Sequence, residues 1–529
     1  MKPLDKDLRD KLARVVEEAR EVAETAARYT LQQLSIGESS PYKHLSTEER
    51  DLRRRLRAHG RQLGDIRNSR DETQEIERLL EEVAYQHWHR MLFAKFLAEN
   101  NLLMYPDPVS PVPVSLEECE ELARDEGAKD GWELASRFAQ NMLPQIFRAD
   151  SPVFEIDLAP EYQRKLEDLL DELPSEVFEA SDSLGWVYQF WQAKNKYSIN
   201  KSEVKIGERE LPAVTQLFTD PYMVSFLLDN TIGVWWAKKQ LTDTDLENAK
   251  CEQELREKIS LPGVPLEYLR FVREPAGNWA PACVVSETWP DQPAELKILD
   301  PCCGSGHFLV ASLLMLAPMR ERLENLGARD AVAAVLRDNL FGLEIDQRCI
   351  EIAAFSLALA AWRYSDPEHS HEPLPSMNLA CTGSGIGISK REWLEMTSNY
   401  FSSTTKKDFN ADGIAEYTEL MTKAGNTMEE LYNFFEDAPL LGSLINPHRV
   451  GGDVFSTDYH QVAQIFDDVV KEIDDRTRSY DEIAVAAHGL SKAAMFLSRN
   501  YHFVVTNVPY LGKGKQDQAL LEFTKKHFP

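Results

Sequence analysis

Residues 295–316 read ELKILDPCCGSGHFLVASLLML: an apolar stretch ending in an acid, a glycine-rich turn, and an apolar run of helical length. Strand, loop and helix in that order make a ligand loop at the carboxyl end of a parallel strand. Gly304 and Gly306 let the backbone turn sharply and approach a ligand without interference from Cβ. Asp300, at the strand end, accepts a hydrogen bond from an ammonium or amide. The spacing is neither the GxGxxG of dinucleotide folds nor the GxxxxGK[ST] of phosphate loops. No lysine follows to meet a phosphate, which disfavours a nucleoside triphosphate.

Outward from this loop the chain alternates strand and helix, the signature of an α/β domain. Leu340–Ile345 (LFGLEI) reads as a second strand, with a helix at Cys349–Trp362 behind it. Its acid, Glu344, is placed to hold the two ribose hydroxyls of an adenosine lying across the sheet edge, and Asp346 follows two residues later. Asn378–Cys381 is a weaker third strand. A long insertion near 384–497 precedes the strand Tyr501–Thr506, which delivers Asn507-Val508-Pro509-Tyr510. In that tetrapeptide a side-chain amide and a turn carbonyl offer acceptors to an exocyclic amine, and the tyrosine ring holds a planar base.

With these three sites in this order the chain resembles the amino-methylating DNA methyltransferases, whose motif is written [DNS]-P-P-[YF], and within them the adenine-N6 group. Leu211–Val224 (LPAVTQLFTDPYMV), Ala84–Leu102 and the GWVYQFW segment at 185–191 extend the likeness to the PglX-type methyltransferases of bacteriophage-exclusion systems and to related type IIG enzymes. The resemblance covers roughly residues 80–510 as a linear order. It implies a Rossmann-like domain dependent on S-adenosylmethionine over residues 209–529, following a helical N-terminal region (1–104) and a helical connector domain (105–208). It further implies that Thr219 and Pro221 contact the carboxylate end of S-adenosylmethionine, that Asp300, Cys302, Gly304 and Gly306 form the cofactor loop, and that Glu344 is the ribose acid. Asn507 and the carbonyl of Val508 would bind the N6 amine, with Pro509 closing the turn, and Tyr510 would stack on an adenine flipped from duplex DNA.

The sequence departs from the family pattern in three places. Val508 stands where the first proline is usual, so the turn loses a fixed φ. Cys381-Thr382-Gly383-Ser384 lacks the acid or amide followed by serine, and Cys302-Cys303 replaces the commoner alanine-cysteine, most simply as a small packed pair. Only 19 residues follow Tyr510. The expectation is therefore an incomplete sheet, with a second polypeptide supplying the remaining strands and the base-reading domain.

Composition narrows the alternatives. In 529 residues, 59 Lys+Arg against 87 Asp+Glu give a formal net charge of −28, which argues against coating nucleic acid by bulk charge. Arg50, Arg53, Arg54, Arg55, Arg57, Arg61, Arg67 and Arg70 face only Asp51 and Asp65, a local excess of six positive charges, read as a solvated face paired with the acids at 75–82. The seven cysteines show no CxxC spacing and His87 and His89 project to different sides of a helix, so no metal site is expected. No apolar run reaches the ~18 residues of a membrane span, and the charged N-terminus lacks a secretory h-region; the expected location is the cytoplasm. The four prolines of Tyr105–Ser115 mark a connector, and no fixed-period repeat occurs. Two E-x-K triplets, at 203–205 and 295–297, lack an upstream acid on a neighbouring strand, so restriction activity is not expected.

The leading expectation is thus an adenine-N6 DNA methyltransferase, or the cofactor-binding part of a split one, in phage defence or restriction–modification. The alternatives are a non-catalytic subunit that binds S-adenosylmethionine and DNA, and a protein-glutamine or RNA methyltransferase.

Overall fold

The computed structural model describes residues 3–106, 111–143, 146, 151–202, 204–215, 219–283, 286–365, 374–383, 390–391, 393–395, 429, 431–433, 435–446, 489–508 and 511–528. Most of the expected insertion near 384–497, together with Pro509 and Tyr510, lies outside the described residues. The chain divides into two compact units, with the boundary at about residue 202.

The first unit is helical. Helix α1 (Lys6–Gln33) starts where the Asp5 carboxylate accepts from the Leu8 amide at 2.9 Å, a side-chain N-cap. It buries Leu12, Val15, Val16, Ala19, Ala23, Ala26 and Leu31, spaced three and four residues apart, against two further helices. These are α3 (Glu77–Glu99) and α4 (Ser183–Ser202). Between α1 and α3 lies α2 (Thr47–Gln62), opened by a capping box in which Ser46 and Glu49 exchange backbone and side-chain hydrogen bonds. The aromatic density of 183–196 goes into the core: Tyr188 and Trp191 are buried and meet Tyr85 edge-on. His87 is buried 3.2 Å from the Val153 carbonyl, and burial pushes its pKa down to about 3. Residues on both sides of the Tyr105–Ser115 connector belong to this one unit.

The arginine run is not a free patch. Arg53 and Arg57 are buried, and their guanidinium groups cap backbone carbonyls: Arg53 donates to Ser35 at 3.0 Å and to Glu38, and Arg57 to Ile36 and Glu72 at 2.8 Å each. Arg55 pairs with Asp51 and Glu155, and Arg61 donates to the Gln74 side chain at 3.0 Å. The partners come from both flanks, 35–38 and 72–74, so these cations tie the loops around α2 together.

The second unit contains the parallel sheet. Strands β1 (Ile298–Asp300), β2 (Leu340–Glu344), β3 (Leu379–Cys381) and β4 (Phe503–Val504) stand in the order β3-β2-β1-β4. All residues of β1, β2 and β3 are buried, as continuous apolar strands covered on both faces should be. Helix α5 (Pro221–Asp229) precedes the sheet in sequence. Helix α6 (His307–Glu324) follows the glycine loop, α7 (Ala328–Asp338) leads into β2, α8 (Gln347–Ser365) leaves it, and α9 (Gln518–His527) comes last. Strands β1 and β4 are shorter than the sequence pattern suggests. A 3-10 turn occupies Pro293–Glu295, and only Phe503–Val504 of the last strand meets the ladder. Because the chain steps outward from β1 to β2 to β3 and then returns to the other side of β1, the carboxyl ends of β1 and β4 flank a topological switch point. Among the described residues no helix is long and apolar enough to cross a membrane.

Candidate functional site

The glycine loop and the tips of the four strands meet at one end of the sheet. Gly304 has φ +51° and Gly306 φ +85°, left-handed values that glycine adopts at little cost. A Cβ on Gly306 would lie 3.1 Å from the Cα of Ala353, so α8 packs on the start of α6 where a larger residue would push it away. The loop is pinned from β2: the Cys303 amide donates to the Leu343 carbonyl at 2.9 Å and the Gly304 amide to Glu344 Oε2 at 2.8 Å. The second carboxylate oxygen of Glu344 accepts from the Ile345 amide at 2.8 Å.

Asp300 and Glu344 therefore sit side by side at the ends of adjacent strands, 1% and 6% exposed. Burial pushes both carboxyls up to about 7. For Asp300 the Glu344 charge adds to the rise, while the Thr506 side chain and the Cys302 amide act against it. For Glu344 the Gly304, Ile345 and Asp346 amides oppose the rise, while the Asp346 charge adds to it. No described cation pairs with either group. The two acids place buried acceptor groups side by side, an arrangement that suits a ligand rich in donors. Asp346 differs: its carboxylate is taken by Arg348, at 3.0 Å from the amide and 3.1 Å from the side chain.

At the other end of the switch point, Asn507 follows β4. Its amide nitrogen donates to Thr219 Oγ1 at 3.1 Å, bringing together two residues 288 positions apart. Thr219 is buried and stands just before the Asp220–Pro221 start of α5, where Pro221 occupies the first helical position. Asn507 itself is exposed, as is Val508 at 69%. With the amide nitrogen engaged, the oxygen of Asn507 is the atom left for a ligand.

The predicted residues Thr219, Asp300, Cys302, Gly304, Gly306, Glu344 and Asn507 thus belong to one end of one unit, and Pro509 and Tyr510 fall outside the described residues. Sequence reasoning missed the supports. Ser443 donates to the Pro301 carbonyl from the insertion, 142 residues away. Thr382 docks on the Glu344 carbonyl through its amide at 2.7 Å and its hydroxyl at 3.2 Å. Neither carries a local signal, because each acts through a backbone carbonyl that any residue provides. The vicinal thiols behave as packing groups: burial pushes Cys302 up to about 12 and Cys303 well above its ordinary value. The Lys297 ammonium of one E-x-K triplet is spent on the carbonyls of Ala294 and Asp338. Among the described residues no cluster of His, Cys, Asp and Glu is arranged to hold a metal ion.

Comparison with known proteins bears on this end of the sheet. Residues 288–411 match the family described as MmeI, DNA-methyltransferase domain, a span that holds the glycine loop and Glu344. The chain is 26% identical to the adenine-specific methyltransferase BrxX of Escherichia coli O9:H4 (strain HS) over 73% of its length, and 23% identical to the adenine-specific methyltransferase PglX of Lacticaseibacillus casei (strain Zhang) over 92%. It spans 30% and 40% of those two relatives. A solved ATP-dependent Type ISP restriction-modification enzyme, LlaBIII bound to DNA, aligns over 94% of this chain and 25% of that one, with 13% identity and a TM-score of 0.34. The chain contains a methyltransferase domain and is similar to PglX-type adenine methyltransferases, in agreement with the resemblance drawn from its motifs.

Proposed function

We propose that residues 209–529 form a Rossmann-like methyltransferase domain that binds S-adenosylmethionine and methylates the N6 amine of adenine in duplex DNA, in a phage-defence or restriction–modification setting. The observation that carries this reading is the pair of buried, cation-free carboxylates, Asp300 and Glu344, at the ends of adjacent parallel strands beside a left-handed glycine loop. A ligand with a ribose diol and an ammonium group fits that donor-poor edge: Glu344 would accept from the hydroxyls and Asp300 from an amine. Thr219, Pro221 and the loop residues Cys302, Gly304 and Gly306 complete the proposed cofactor site. When bound, S-adenosylmethionine supplies an electrophilic methyl group on a sulfonium.

The chain's own contribution is positioning and electrostatics. Thr219 Oγ1 accepts from Asn507 Nδ2 and so aims Asn507 Oδ1 at the acceptor amine. The Val508 carbonyl takes the second hydrogen of that amine, which localises the nitrogen lone pair for in-line attack. The proton then leaves to solvent from the methylated amine, and no covalent enzyme intermediate is required. Tyr510 would stack on the flipped adenine and Pro509 would stiffen the turn. The edge strand β4, with Val504 60% exposed, would pair with further sequence, from a longer chain or a second polypeptide. Residues 1–104 and 105–208 are read as helical elements serving that domain, and the cytoplasm as its location.

The test is calorimetric titration with S-adenosylmethionine. Saturable binding that is lost in Glu344→Ala supports the reading; folded protein that binds no donor overturns it. The exposed, non-proline Val508 favours one second reading, a subunit that binds donor and DNA without transfer. Donor binding without methylation, even with Val508→Pro, would select it.

A further inference from the structure

Directly beyond the catalytic tetrapeptide the chain reads Leu511-Gly512-Lys513-Gly514-Lys515, two lysines and two glycines with no acid among them. The segment is held firmly. The Lys515 amide donates to the Gly512 carbonyl at 2.8 Å, closing a turn, and the Gln516 side chain donates to the Leu511 carbonyl at 3.1 Å. Residues 205–207 then strap it like an added strand: Ile206 N donates to the Lys515 carbonyl at 2.7 Å, Asp517 N to the Ile206 carbonyl at 3.0 Å, and the Lys205 ammonium to the Gly514 carbonyl.

The glycines have no internal explanation. Neither is among the positive-φ positions, and a Cβ built on either meets nothing within 4 Å. Glycine at an open, ordinary backbone position leaves room for something outside the chain to come close. Lys513 and Lys515 are exposed, and no ion pair of either is described. The amides of Gly512, Lys513 and Gly514 likewise have no described acceptor. Amides and ammonium groups that have no described partner, set in one turn of a chain of net charge −28, are the groups with which backbone nests hold an anion.

We propose that the Gly512–Lys515 turn binds a backbone phosphate of the DNA strand that carries the target base. The proposal rests on the methyltransferase reading for its choice of polyanion. The turn lies within five residues of Tyr510, so a phosphate held there fixes the strand next to the nucleotide that leaves the stack. Phosphate binding of this kind carries no base information, so it explains positioning and not sequence choice.

The test uses the full chain and a short mixed-sequence duplex, with binding followed by fluorescence anisotropy over a salt series. Lys513→Ala/Lys515→Ala should weaken binding about tenfold and flatten the log–log salt slope by roughly 0.9 for each phosphate that is no longer neutralised. Gly514→Ala, which changes no charge and meets no neighbour, should weaken it several-fold by blocking approach. Lys525→Ala/Lys526→Ala, the same charge change at the far end of α9, should have a much smaller effect. Equal losses in the two lysine pairs would reduce the effect to bulk charge and overturn the site, as would an unaffected Lys513→Ala/Lys515→Ala variant or a wild-type chain that binds no duplex. Titration with S-adenosylmethionine in parallel separates the two claims. Intact donor binding with no effect at the turn sinks the phosphate site alone, whereas loss of duplex affinity at the turn in a chain that binds no donor leaves the phosphate site standing and sinks the methyltransferase reading.

Discussion

Arg53 and Arg57 in the helical unit and Asp300 and Glu344 in the sheet unit are all buried charges that desolvation pushes toward neutrality, but their partners differ. The two arginines each donate to two or more carbonyls of the loops flanking α2. The two carboxylates have backbone amides but no described cation, and burial raises both toward neutrality. Guanidinium groups spent on loop carbonyls tie a fold together, whereas carboxylates that have amide partners alone keep acceptor capacity that a ligand could use. From the sequence the eight arginines of 50–70 read as a solvated face; the structure instead buries Arg53 and Arg57 against backbone carbonyls.

The largest effect expected from this contrast is on stability. Arg53→Ala with Arg57→Ala leaves several loop carbonyls unpaired and should cost about 3 kcal/mol of unfolding free energy, read by urea denaturation, with donor affinity unchanged. Lost donor binding in that variant would break the contrast. Glu344→Gln comes next. It removes the charge and turns one of the two oxygens that accept loop amides into an N–H donor, and should weaken S-adenosylmethionine binding by about tenfold or more, ~1.4 kcal/mol, with a smaller fall in stability than in the double arginine variant.

The pH dependence sharpens the same point. Asp300 and Glu344 hold protons in the folded state up to about 7 and release them near 4 when unfolded. The stability they contribute is complete below about pH 4 and is lost as pH rises through about 7. Thermal denaturation of the ligand-free chain should therefore show a decline across that window that Asp300→Asn reduces, while donor affinity rises over the same range. A flat profile in both would remove the two acids from the site. The smallest effect is expected at the exposed turn. Val508→Pro should raise methylation several-fold by restricting the free loop, worth about 0.4–1 kcal/mol, without altering donor affinity.

How much can be read in advance follows from where each signal is stored. Asp300, Gly304, Gly306 and Glu344 are legible because strand, turn and helix are local patterns, and an acid at a strand tip points one way only. Val508 is legible as a departure for the same reason. The apolar pattern overstates the length of β1 and β4, since ladder pairing sets their ends. It reads the arginines as a solvated face and misses the burial of Arg53 and Arg57, because a guanidinium that caps a carbonyl eighteen residues away leaves no mark on the partner's identity. Resemblance puts Thr219 on the donor side, but its bond to Asn507 spans 288 positions and no pattern announces it.

The sequence by itself determined the α/β class and the order of the three motifs, because strand and helix periods and glycine turns are properties of neighbouring residues; the chemistry proposed for the motifs came from their resemblance to a family. Only the tertiary structure decided the strand order β3-β2-β1-β4, the pairing of two buried acids, the capture of the asparagine amide by Thr219 and the burial of Arg53 and Arg57 against loop carbonyls. Each of these depends on which distant backbone groups burial brings within reach of a side chain, and that is set by the packing of the whole unit.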